Sequence, residues 1–169
     1  MTTTYRPAAN QLFHAFANDV AAPAERLFPL LCPVREYEWI EGWTCRLVHT
    51  SSGLVEPGCV FITDRPGGST TWVTVEHDPV ARQVAFVRVT PEQRAVHMAL
   101  LVEPLGPARS RLHVAWRVSG IDAQGREAAR SGTEDGRSYA EIAAGIAAAA
   151  ERFLRTGRAL ALAPGARID

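Results

Sequence analysis

The sequence predicts an α+β domain in which a curved antiparallel sheet of about seven strands, two short helices and one long C-terminal helix surround a cavity. Three observations carry that prediction. Short extended runs broken by turn residues fill the chain from Thr44 to Ser119. An apolar stripe of helical period follows near the C-terminus. Only a sheet is broad enough to bury that stripe.

In chain order, Leu12, Phe13, Ala15, Phe16, Ala17 and Val20 mix with polar residues up to Ala22-Pro23 and read as a first strand. Pro23 opens a helix, because the first helical turn has no use for its missing N–H. Leu27, Leu30 and Leu31 follow at helical spacing, and Cys32-Pro33 ends the run. A second short helix is expected from Val34 to Trp39. Strands are then expected at Cys45–Thr50, Cys59–Thr63, Thr71–His77, Gln83–Thr90, Val96–Val102 and Arg111–Val118. Ser51-Ser52-Gly53, Pro66-Gly67-Gly68, Asp78-Pro79, Thr90-Pro91 and Leu105-Gly106-Pro107 separate them, and breaks this short imply hairpins. Asp122 to Gly136 is polar, contains glycine and reads as a loop. Ser138 and Glu141 have capping-box spacing, and Tyr139, Ile142, Ile146, Ala149, Ala150 and Phe153 form the buried stripe of the last helix.

The 169 residues suit one domain, and 18 Lys plus Arg against 18 Asp plus Glu leave no net charge to attract nucleic acid or an anionic membrane. No run reaches the ~18 apolar residues of a membrane span, and Met1 to Asn10 lacks the pattern of an export signal. Cys32, Cys45 and Cys59 are odd in number and lack C-x-x-C spacing, which fits reduced thiols in a cytoplasm. His14, His49, His77, His97 and His113 have no metal-ligand spacing, so neither a metal nor a cofactor is expected. No nucleophile elbow or phosphate-binding loop occurs.

Which side chains face the cavity depends on strand alternation. Leu112, Val114, Trp116 and Val118 share one face, and Met98, Leu100 and Val102 share the same sense on the preceding strand. At Asp78-Pro79, a three-residue loop with a bulge pairs Asp78 with Arg82 and places Trp72, Thr74 and Glu76 with Val84, Phe86 and Arg88. A loop of two or four residues instead sets Glu76 beside Ala85 and Val87. The first register is favoured because it brings Phe86 to Met98. The inner face then carries Trp72, Phe86, Met98 and Trp116 beside the polar Thr74, Glu76 and Arg88, with Ile142 and Ile146 above. The aromatics equally suit plain core filling, and Arg88 suits an ion pair or a cation–π contact with Trp72.

Ala22-Pro23, Glu25, Leu27-Phe28, Leu31, the run Cys32–Trp39, Gly42-Trp43, Gly58–Phe61, Thr71–Val73, Asp78-Pro79 and Phe153–Gly157 together resemble one branch of the START/Bet v 1-like superfamily, the polyketide cyclase/dehydrase-like or SRPBCC branch. The resemblance covers roughly residues 11 to 158. It implies a helix-grip fold with a hydrophobic cavity under the last helix, holding a small apolar or amphipathic ligand. In that setting Trp39 and Trp43 would form a lid, and Arg35 would orient an acidic group at the entrance. The alternative reading of that segment is a helix pinned by one tryptophan and dressed with solvated charge. Where relatives carry a Leu-Ser-x-x-Gly turn, this chain has Ser119–Gly125, so the resemblance transfers the cavity and no catalytic residue.

Two function classes share the cavity. One is a binding protein. The other is a cyclase or dehydratase in which Glu76, with its pKa raised by an apolar setting, shuttles a proton. A third possibility concerns assembly: Val73, Val75, Val87, Val89 and Leu101 make the outer sheet face apolar enough for a homodimer.

Overall fold

The computed structural model describes residues 11–65, 68–134 and 136–161. Met1–Asn10 and the first two positions of the Pro66-Gly67-Gly68 turn lie outside them. The elements are β1 (Gln11–Val20), α1 (Ala24–Leu27), a 3-10 turn (Phe28–Leu31), α2 (Glu36–Trp39), β2 (Ile40–Glu41), β3 (Arg46–His49), β4 (Val60–Arg65) and β5 (Gly68–Asp78). There follow β6 (Gln83–Thr90), β7 (Arg94–Gly106), β8 (Arg109–Gly120), α3 (Ala123–Ser131), β9 (Thr133–Glu134), β10 (Arg137–Ser138), α4 (Tyr139–Thr156) and β11 (Leu160–Ala161).

Seven strands form one antiparallel sheet in the order β1-β8-β7-β6-β5-β4-β3. Because each hairpin joins neighbours, only β1 must cross the molecule, and α1 to α2 make that crossing. The sheet wraps α4, whose buried side is Tyr139 at its start followed by the small Ala143, Ala147, Ala149 and Ala150. Ser138 caps α4 by accepting from Glu141 N at 3.2 Å, while Glu141 accepts from Ser138 N at 2.8 Å. Glu151 ties α4 to the end of β1 by accepting from Ala21 N at 2.7 Å.

Two expectations are corrected. The Asp78 hairpin has a four-residue loop, pairing Asp78 with Gln83 and Glu76 with Ala85. Asp78 Oδ1 accepts from Val80 N and Ala81 N at 2.9 Å, and Arg82 takes the left-handed conformation, φ 56°. The slipped register does not persist. A bulge between Thr74 and Glu76 restores it, so Thr74 pairs with Phe86 and Trp72 with Arg88. Val75 and Glu76 both end up exposed, whereas Trp72 and Thr74 are buried. Glu76 therefore points away from the cavity.

The second correction concerns Asp122–Gly136, which contains a helix rather than a loop. Asp122 caps α3 by accepting from Gly125 N at 2.6 Å. A Cβ on Gly125 would stand 1.9 Å from the Gln93 carbonyl oxygen, so this glycine permits close packing of α3 on the β6–β7 turn. Its presence marks contact, not a chain break.

Candidate functional site

Between the sheet and α4 lies a cavity in which about 120 Å³ is open to the centre of a water-sized sphere. The pairing places Phe86, Met98 and Trp116 in one row across β6, β7 and β8, and Trp72 beside Arg88 in the adjacent row. These five side chains form the floor, and Ile142 and Ile146 project from α4 as the roof. Trp39 and Trp43 close one side, with Leu31, Pro33, Ile40, Phe61 and Leu100 completing apolar walls. All four tryptophans of the chain thus line one space.

Their polar edges are occupied elsewhere. Trp39 Nε1 donates to Leu30 O at 3.0 Å, Trp43 Nε1 to Pro33 O at 2.9 Å, and Trp72 Nε1 to Thr63 Oγ1 at 2.9 Å. With the N–H groups satisfied, these rings present apolar faces inward. Trp39 is fully buried, so it pins α2 as well as walling the cavity.

Nine of the twelve residues singled out from the sequence line the cavity: Trp39, Trp43, Trp72, Phe86, Arg88, Met98, Trp116, Ile142 and Ile146. Three do not. Glu76 lies on the outer face, for the reason just given. Thr74 is buried away from it against Cys59, whose carbonyl accepts the Thr74 N–H at 2.8 Å. Arg35 is held by Glu38 through two bonds of 3.0 and 3.1 Å and borders a separate cleft with Cys32 and His77.

Polar groups not anticipated from the sequence take their places. Glu134 forms a bidentate ion pair with Arg88, both being 95% or more buried, and also accepts from Arg94 Nη2 at 3.3 Å. The Arg88 guanidinium lies 5.0 Å from the Trp72 ring centre, so it has the cation–π contact as well as an ion pair. Glu36 reaches the cavity from α2, and burial pushes its carboxyl up to about 8, leaving it largely protonated at neutral pH. Arg137 reaches the cavity from β10 and stays half-buried. Only a capping-box neighbour signalled Arg137 in the sequence, and Glu36 stood within a run of charges.

No protein-family model matches the sequence, and no curated protein matches it. Solved structures do. Norcoclaurine synthase from Thalictrum flavum, in complex with dopamine and hydroxybenzaldehyde, superposes with TM-score 0.65 at 13% identity, covering 95% of this chain and 98% of that one. The Zhui aromatase/cyclase from Streptomyces sp. R1128 gives 0.54 at 15% identity over 89% and 99% of the two chains. The di-domain aromatase/cyclase BexL, from the BE-7585A biosynthetic pathway, gives 0.59 at 15% identity over 85% of this chain and 47% of its own. The fold is therefore the helix grip, a curved antiparallel sheet closed by a long C-terminal helix. No helix among the described residues is long and apolar enough to cross a membrane.

Proposed function

We propose that the chain binds a small, largely apolar molecule of single-ring size in the cavity beneath α4. The supporting observation is the cavity's size combined with its walls. An engineered apolar cavity of about 150 Å³ holds benzene, so a space of about 120 Å³ suits one ring rather than a fused polycycle. Norcoclaurine synthase, of the same fold, is solved with two single-ring molecules. The binding set is Trp39, Trp43, Trp72, Phe86, Met98, Trp116, Ile142 and Ile146, with Arg88 held rigid behind Trp72.

The test is native mass spectrometry of protein purified from its host, together with calorimetric titration of toluene into the wild type and Ile146→Trp. Toluene uptake by the wild type and its loss in the filled variant support the reading. Absence of any guest in both experiments sinks it.

A second reading, catalysis by acid–base chemistry, is favoured by one observation: Glu36 is a protonated carboxyl facing an apolar cavity. Glu36 replaces Glu76 as the proton carrier. Once a guest is known, unchanged conversion by Glu36→Gln rules this reading out. The three unpaired cysteines favour a reducing compartment such as the cytoplasm. Exposed Phe13, Val75, Val89 and Leu101 on the outer sheet face favour a homodimer, which sedimentation at high concentration tests.

A further inference from the structure

The cavity has an apolar interior, yet one charged side chain on its lining is not used by the fold. Arg88 and Arg94 are both bonded to Glu134. Arg137 also lines the cavity, and among the described residues its guanidinium makes no ion pair or hydrogen bond. Glu141, four residues further along, has its Oε2 engaged by Ser138 N and Oγ, both at 2.8 Å. The Arg137 charge acts on that carboxylate only from a distance. The other half-buried polar group on the lining, Glu36, is largely protonated at neutral pH and supplies no opposing charge. A guanidinium at the edge of an apolar pocket presents a planar fork of donors that matches a carboxylate's two oxygens.

We propose that the guest is a compact aromatic carboxylate, with its ring against the tryptophans and its charged group paired with Arg137. This rests on the binding function proposed above and specifies the ligand's chemical class. The geometry accounts for both ends of such a molecule: the walls exclude water from the ring, and half-buried Arg137 is where the charge stays partly hydrated. Arg137 lies on β10, whose backbone is fixed by pairing with Glu134 and by the capped start of α4, so the base of its side chain is positioned before a guest arrives.

Calorimetry at fixed ionic strength tests this with benzoate, its neutral isostere benzamide, and toluene, on the wild type, Arg137→Met and Arg137→Lys. The wild type is expected to bind benzoate about tenfold more tightly than benzamide, as one charge-assisted pair allows. Arg137→Met should lose that preference while its toluene and benzamide affinities stay within about twofold, because the methionine keeps the apolar stem. Arg137→Lys should keep a preference for benzoate. Toluene binding with benzoate no tighter than benzamide overturns the proposal and leaves the binding function standing. Benzoate binding unchanged in Arg137→Met overturns it too. Failure of all three probes on the wild type overturns both together.

Discussion

Arg88 on β6 and Glu134 on β9, 46 residues apart in the chain, meet as a buried bidentate ion pair on the cavity wall. The pair fastens the α3–β9 segment to the sheet. Removing one partner leaves a charge buried without its counterion, which costs about 3 kcal/mol or more. Glu134→Leu is expected to lower stability by that amount in urea denaturation. Arg88→Met combined with Glu134→Leu should be less damaging than the single change, since Arg94 alone then loses its partner, rather than Arg88 and Arg94 together.

Glu36 makes stability depend on pH. Its carboxyl titrates near 4.5 when unfolded and about 8 when folded, so the native state holds a proton that the unfolded chain releases between those values. The contribution is complete below the unfolded pKa and is lost as pH rises through the folded one. Wild-type stability should therefore fall relative to Glu36→Gln, by up to about 1.4 kcal/mol per pH unit, between about pH 5 and about pH 8. Glu76→Gln, on the exposed outer face, should stay within about 0.5 kcal/mol of wild type throughout. Urea melts across pH check both.

Leu100 is 4% exposed and borders the cavity from β7. Leu100→Ala should cost about 2 to 4 kcal/mol, through lost burial and the larger void. The same change should let a two-ring guest such as naphthalene bind where the wild type refuses it. Thermal melting reads the first effect and calorimetry the second.

Ser138→Ala removes one half of the capping box at the start of α4 and should cost about 1 kcal/mol. The same cap holds Arg137 at the cavity, so benzoate affinity should fall with it, in contrast to a remote cap.

Periodicity made the sheet and α4 legible. The bounds expected for β6 coincide with those observed, and Ile142 and Ile146 face the cavity as their spacing implies. Glu76 was misplaced because a bulge is invisible to alternation: one extra residue at Val75 reverses every side chain beyond it while leaving Trp72 and Thr74 on the buried face, Trp72 at the cavity and Thr74 beside it. The Asp122–Gly136 helix was hidden because Gly125 breaks propensity for the sake of contact with Gln93, a partner known only after folding. Glu134 and Arg137 went unrecognised for the same reason. Their roles come from long-range placement beside Arg88 and the cavity, and no local pattern encodes either.

The four indoles turned toward a single space give the molecule an optical property of its own. Every tryptophan borders the same event, so ultraviolet emission from the unmodified chain carries no contribution from distant reporters. A guest that quenches, or that accepts excitation from these rings, would announce itself without a label, and single Trp→Phe changes would map which wall it touches.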